Sequence, residues 1–296
     1  MATDTRVLAA EFQYLEAHSL DEALAWLGQY GTRARVLAGG TDLLVKMKTG
    51  QVQPEYIIYI KKVAGLDYIQ ADEAGLRIGA TTTLRKLEGC AAVKTGYSAL
   101  YEAVRSMAAT AIRNMGTIGG NLGNASPAAD TAPPLLVYGA TLKLASQAGT
   151  RLVPVEEFFL GPGKTCLAPE ELLTEISLPP QGSESGSSFL KLGRVAADIA
   201  KINVAVSLQR SGRNCTACRI AFGSVAPTPI RVPEAEALLA GQEITEDLIE
   251  TAAQAGAAAI KPISDNRSTR EYRLKVSRVM LAEALRAAWQ RAGGVL

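Results

Sequence analysis

"TIGGNLGNASPAAD", residues 117–130, is the stretch on which the reading turns. Gly119, Gly120 and Gly123 are interspersed with Asn121, Asn124 and Ser126. Such a segment offers little apolar area to bury and loses much backbone entropy on ordering. Something other than core packing should hold it. A second Gly-Gly pair, also beside a threonine, stands in "AGGTD" at 38–42. Each pair is expected to turn the chain tightly and present backbone N–H groups free of side chains, the arrangement of a concave anion site. Two such turns suit a pyrophosphate gripped between them, with Thr41, Thr117, Asn121 and Asn124 as neutral donors.

Neither pair carries the lysine of a GxxxxGK[ST] loop, and the chain has no GxGxxG, so neither a P-loop nor a Rossmann site is indicated. A neutral cradle suits a retained cofactor better than a nucleotide that is cleaved and released. Asp130 follows closely, and its carboxylate would accept from a ribose or flavin side-chain hydroxyl while repelling a phosphate. Taken singly, either Gly-Gly pair also reads as a plain turn.

The rest of the composition narrows the class. With 296 residues, 48% of them apolar and 20% charged, the chain can bury a core large enough for two domains. The 31 basic and 29 acidic side chains are well mixed, which argues against a nucleic-acid surface. "MATDTRVLAAEFQYLEAH" lacks the pattern of a signal peptide, and no apolar run is long enough for a membrane span, so a cytoplasmic protein without membrane insertion is expected. Cys90, Cys166, Cys215 and Cys218 are scattered, as in a reducing compartment. The lone histidine, His18, excludes a multi-imidazole zinc site. "CTAC", 215–218, has metal spacing but no further cysteine or histidine nearby and reads as a structural pair in a turn entering a strand.

Periodicity predicts a helix over 19–31, capped by Ser19 with Glu22 behind it and stopped by Gly28 or Gly31. Strands are expected at Val36–Leu37, 55–60 and 75–84, a helix over 97–112, and a strand pair in "PPLLVYGATLKLAS" (133–146). "PVEEFFLGPG" reads as a short helix and loop, and "EELLTEISLP" as a strand. The polar "PQGSESGSS", 180–188, reads as a linker. Three strands follow, then helices near 233–240, 245–260 and 271–292. The outcome is an α+β chain with a first domain over 1–179 (subdomains about 1–60 and 61–179) and a second over 189–296.

"AGGTDLL" (38–44), "IRNMGTIGGNLGNASPAADTAPPLL" (112–136), "FLKLGRVAADIAKIN" (189–203) and "GSVAPTPIRVPEAEALL" (223–239) together resemble the FAD-binding medium subunit of the molybdenum hydroxylases, the xanthine dehydrogenase and carbon monoxide dehydrogenase family. The resemblance runs from about residue 10 to 290. It implies a vanillyl-alcohol-oxidase-type (PCMH) fold in which two α+β subdomains clamp FAD under a C-terminal α+β domain. It also implies that Ala38, Gly39, Gly40, Thr41 and Asp42 line one pyrophosphate loop and Thr117, Gly119, Gly120, Asn121 and Asn124 the other, with Asp130 on a hydroxyl. Ala108 matches a position against the cofactor, Leu172 or Leu173 an apolar contact to the flavin ring, and Lys191 a lysine near it. A cation beside the ring stabilises the anionic reduced flavin and raises its potential. Without the resemblance, Lys191 reads as a solvated strand lysine.

The activity so implied is electron transfer. FAD would take electrons from a [2Fe-2S] small subunit and pass them to an external acceptor. Hydroxylation would occur in a molybdopterin large subunit, within a dimer of heterotrimers. No catalytic residue, metal site or iron–sulfur cluster is expected in this chain itself, which lacks a clustered set of four cysteines. The alternatives are a stand-alone flavin oxidoreductase of the same fold, which would need acid–base residues of its own, and a non-catalytic scaffold. The arginine-rich 265–281, with Arg267 and Arg270, reads either as a solvated helix face or as a docking surface for the iron–sulfur partner. Tyr56, Tyr59, Tyr97 and Tyr101 read as packing residues.

Overall fold

The structure, a computed structural model, describes residue 8 and residues 10–296, so much of the N-terminal segment read above lies outside the described residues. The first layer is a parallel sheet in the order β1 (Gln13–Glu16), β3 (Tyr56–Tyr59), β2 (Ala34–Leu37). Helices α1 (Leu20–Tyr30) and α2 (Leu43–Lys48) connect its strands. Ser19 Oγ accepts the Glu22 N–H, and the Glu22 carboxylate accepts from the His18 N–H, so the expected cap forms with its return bond one residue earlier. Ala23, Leu24 and Leu27 of α1 pack on Ala34, Ile58 and Ile60.

The second layer is an antiparallel sheet in the order β4 (Ile69–Asp72), β5 (Gly75–Gly79), β10 (Leu172–Leu178), β6 (Thr141–Ser146), β7 (Gly149–Pro154). Between β5 and β6 run six helices: α3 (Leu84–Gly89), α4 (Ala91–Gly96), α5 (Ser98–Ser106), α6 (Thr110–Met115), α7 (Ile118–Gly123) and α8 (Ala132–Tyr138). A short helix α9 (Val155–Phe158) and a two-stranded ribbon, β8 (Phe159–Gly161) with β9 (Lys164–Thr165), lead to β10.

The third layer is an antiparallel meander, β11 (Ser185–Leu192), β12 (Ile202–Ser211), β13 (Asn214–Gly223) and β14 (Ile230–Arg231). Helices α10 (Pro233–Leu239), α11 (Glu246–Ala259) and α12 (Arg270–Arg291) cover one face. Alternation puts Ile202, Val204 and Val206 into the core with these helices, while Phe189, Ala205 and Ala221 join the core of the second layer. A sheet buried on both faces welds the C-terminal part to the rest.

Several sequence expectations are corrected. "PPLLVY" is helical: Pro133 and Pro134 occupy the first turn of α8, where no N–H is needed, and Gly139 closes it with φ +65°. All seven α8 residues are buried, which erased the amphipathic signal. The helix expected over 97–112 breaks after Ser106, because Ala108 takes φ +43° and Arg113 donates to the carbonyls of Met107 (2.8 Å) and Ala108 (3.0 Å). β11 begins at Ser185, so the 180–188 stretch is half strand. β1 and β4, short strands with weak alternation, were not anticipated. "CTAC" lies within β13, where an extra residue at Thr216 breaks the register with β12. Tyr56 stacks on Tyr30 at 3.7 Å between ring centroids, and Tyr97 packs edge-on against Tyr138.

Candidate functional site

A cleft of about 840 Å³ is walled by residues of all three layers, within the usual size of cofactor pockets. Ala38, Gly39, Gly40, Thr41 and Asp42 line it, as do Thr117, Gly119, Gly120, Asn121 and Asn124. So do Ala108, Asp130, Leu172, Leu173 and Lys191. Residues far apart in sequence therefore meet at one place.

The first glycine segment joins the end of β2 to the start of α2, and Gly40 makes the turn with φ +73°. Among the described residues, the N–H groups of Gly39, Gly40, Thr41 and Asp42 donate to no backbone carbonyl. This is an open cradle of donors. Asn124 bridges the two segments: its Oδ1 accepts from Lys46 Nζ at 2.6 Å and its Nδ2 donates to Asp42 Oδ1 at 3.1 Å. Sequence reasoning missed Lys46, although its place one helical turn after Asp42 was a usable signal.

The second segment works differently from the expected open turn. Thr117 caps α7, and the amides of Ile118, Gly119 and Gly120 are spent on Thr82 O (3.1 Å), Ala80 O (2.9 Å) and Thr117 Oγ1 (3.0 Å). Gly119 serves close approach instead, since a Cβ there would sit 2.6 Å from Ala80 O. The segment also brings the polar residues Thr117, Asn121 and Asn124 to the cleft wall. Asn121 is oriented by Thr131 Oγ1, which donates to its Oδ1 at 2.6 Å.

Asp130 and Lys191, read separately from the sequence, form one ion pair at 2.6 Å, each side chain only 7% exposed. Lys191 Nζ also donates to Ser106 O at 3.2 Å, at the helix break that sets Ala108 into the cleft wall. Asn203 Nδ2 donates to the other carboxylate oxygen at 2.7 Å. Burial pushes the Asp130 carboxyl above the usual range, while Lys191 and Asn203 act to lower it.

On the remaining wall, Leu172 packs with the first-layer core and Leu173 with the second. Glu171 beside them holds Arg151 at 2.6 and 2.8 Å, and this pairing keeps its carboxyl below the usual range. Asp198, also on the wall, is paired with Arg194 at 2.8 Å, which depresses its carboxyl strongly. Among the described residues no His/Cys/Asp/Glu group is placed to hold a metal, and no helix is long and apolar enough to cross a membrane.

Open amides beside the Lys46 ammonium suit a pyrophosphate, and a buried carboxylate with a second cation suits a polar, redox-active ring system and its hydroxylated chain. The residues present therefore fit FAD.

Comparison with known proteins agrees. Residues 10–181 match the family model described as the FAD binding domain in molybdopterin dehydrogenase, and 187–288 match the CO dehydrogenase flavoprotein C-terminal domain. The chain is 34% identical to the carbon monoxide dehydrogenase medium chain of Hydrogenophaga pseudoflava, covering 96% of this chain and 99% of that one. It is 35% identical to a xanthine dehydrogenase FAD-binding subunit of Escherichia coli, covering 96% and 98%. The carbon monoxide dehydrogenase structure from H. pseudoflava superposes with a TM-score of 0.93 over 96% of this chain and 99% of that one, at 35% identity. Quinoline 2-oxidoreductase of Pseudomonas putida does so at 0.89 over 95% and 98%, at 29% identity. The fold is the α+β PCMH type expected from the sequence, and the chain belongs to the family of FAD-binding subunits of the molybdopterin dehydrogenases.

Proposed function

We propose that this chain is the FAD-bearing electron-transfer subunit of a cytoplasmic, heterotrimeric molybdenum hydroxylase. Its partners are a [2Fe-2S] small subunit and a molybdopterin large subunit, in a dimer of heterotrimers that hands electrons to an external acceptor. The observation that carries the reading is the open amide cradle of 39–42, set beside Lys46 in the cleft that also contains the Asp130–Lys191 pair. Naming of the relatives as a medium chain and as an FAD-binding subunit supports the multi-subunit setting.

FAD, when bound, supplies two-electron and one-electron redox chemistry, which links hydride and iron–sulfur carriers. The chain's own residues bind and tune. Gly39, Gly40, Thr41 and Asp42 offer their amides to the pyrophosphate, with Ala38 in the wall beside them. Thr117, Gly119, Gly120, Asn121 and Asn124 form the facing wall, Asp130 takes a hydroxyl, Ala108 and Leu172 pack on the cofactor, and Lys191 supplies positive charge. His18 sits on the surface beside Glu16, away from the cleft wall, so no imidazole is available for substrate acid–base work. That favours the electron-transfer subunit over a stand-alone flavin oxidoreductase. In this reading 1–179 is the FAD-binding unit and 189–296 the covering domain, with the 180–188 connector already running into β11 from Ser185.

The test is to produce the chain alone and together with its partner chains. One FAD per chain when alone, with iron–sulfur absorbance added only in the assembled complex, is the expected result. A chain that takes up no FAD in either preparation overturns the reading. Flavin bleaching by NADH in the isolated chain would identify NAD as the acceptor.

A further inference from the structure

The register of β11 with β12 sets Lys191 directly opposite Asn203, so their side chains project from one face of the sheet. Both reach Asp130, which follows α7 in the second layer. Lys191 Nζ binds Oδ2 at 2.6 Å, and Asn203 Nδ2 binds Oδ1 at 2.7 Å. The carboxylate is thus gripped by one donor on each oxygen, and both donors come from the covering sheet.

Asn203 is fully buried and is absent from the cleft wall, so it acts on the cleft only through Asp130. Its own Oδ1 is buried with no hydrogen-bond partner among the described residues. An unpaired buried acceptor destabilises a fold, and an apolar side chain of the same size at this position would avoid that penalty. The residue is therefore explained by its NH2 group and not by its packing. Space is reserved for it as well. Gly223 is its cross-strand partner on β13, and a Cβ there would lie 2.2 Å from the Asn203 oxygen.

We infer that Asn203 is a positioning residue for the flavin site: it fixes the Asp130 carboxylate so that the Lys191 ammonium is held at a set place on the cleft wall. The inference rests on the FAD reading above. Lys191 is the charged side chain bonded to Asp130, while the nearby Arg194 is taken up by Asp198 and Arg273 by Asp265. With the amide gone, a buried carboxylate loses one of its two donors and takes up a proton more readily. Lys191 then stands as an uncompensated cation beside the flavin, which favours the reduced form.

The experiment compares wild type, Asn203→Leu and Gly223→Ala in two measurements. In the cofactor-free chain, NMR of 13C-labelled aspartate carboxyls follows the protonation of Asp130. In the loaded chain, spectroelectrochemistry gives the flavin midpoint potential against pH. Both variants are expected to raise the proton affinity of Asp130 roughly tenfold or more, moving its titration up by about one pH unit. They are also expected to raise the flavin potential in the pH window where Asp130 is protonated in the variant and ionised in wild type. An Asp130 titration and a potential profile unchanged from wild type overturn the inference. Should Asn203→Leu fail to fold, Gly223→Ala, which displaces the amide while keeping every polar group, carries the same test. If wild type takes up no FAD, the functional reading fails, while the carboxyl titration in the cofactor-free chain still decides the role of Asn203.

Discussion

Gly39 lies so close to Met115 that a Cβ at position 39 would sit 2.3 Å from the Met115 carbonyl oxygen. The segments carrying the two glycine pairs therefore touch backbone to backbone, and the open amides of the first are positioned by the second. Gly39→Ala must push them apart. Overpacking of this kind costs about 1–3 kcal/mol, and the displaced amides should also lose FAD. Gly89, the last residue of α3, is the control, because a Cβ there meets nothing within 4 Å and the residue lies outside the cleft wall. Gly89→Ala should be neutral or stabilise by up to about 1 kcal/mol through lower chain entropy. Thermal unfolding and bound flavin per chain check both, and equal effects of the two substitutions would contradict the account.

Glu171 gives the cleft wall an acid-sensitive tie. Its carboxylate accepts from Arg151 on β7 at 2.6 and 2.8 Å and from the Ala168 N–H at 2.8 Å. Pairing with Arg151 holds the carboxyl below its usual value of 4.5. A carboxyl depressed by folding stabilises above its unfolded value, and that contribution is lost as pH falls through the folded one. Wild type should lose stability below about pH 4.5. Glu171→Gln should be less stable at neutral pH and show a flatter acid limb. Urea midpoints at about pH 7 and about pH 3.5 make the comparison, and parallel acid limbs would refute it.

Much of this was legible in the sequence because the site is built from residues with few structural uses. Glycine pairs, Asn121, Asn124 and Asp130 do not pack a core, so they pointed at a ligand and the structure gathers them in one cleft. The division of labour between the segments was not legible, since whether an amide is open depends on a carbonyl from elsewhere. Ala80 and Thr82, which occupy the amides of Gly119 and Ile118, lie just beyond β5. The break at Ala108 was hidden for the same reason, because Arg113, which holds it, reads locally as a helix residue. Asn203 and Lys46 were missed as partners because strand register and helix position, not motif, bring them to Asp130 and Asn124. α8 was misread because total burial removes periodicity.

Glu102 on α5 clasps the covering domain. It pairs with Arg291 of α12 and accepts the Phe189 N–H of β11 at 2.9 Å, while Arg291 also donates to Ser187 O at 2.7 Å. The two charged side chains are 40% and 28% exposed, so their attraction contributes at most about 1 kcal/mol. The amide is a different matter. Glu102→Ala strands the Phe189 N–H at a cost of about 1–3 kcal/mol, whereas Glu102→Gln keeps an acceptor in place. Alanine should therefore destabilise clearly more than glutamine in urea unfolding. Equal losses would mean that the charge, not the amide acceptor, holds the clasp.

The four cysteines should separate by their place in the fold. Cys90 and Cys166 are half-buried, whereas Cys215 and Cys218 are buried in the core between the third sheet and its helices. Residues three apart on a regular strand point to opposite faces, but the extra residue at Thr216 turns both thiols to the same face. A bulky charged disulfide reagent should therefore label only Cys90 and Cys166 in the native chain and all four in denaturant. The Cys215 and Cys218 signals should appear with the kinetics of unfolding. Rapid native labelling of either would mean that β13 opens locally, and the closed packing of the covering domain would have to be revised.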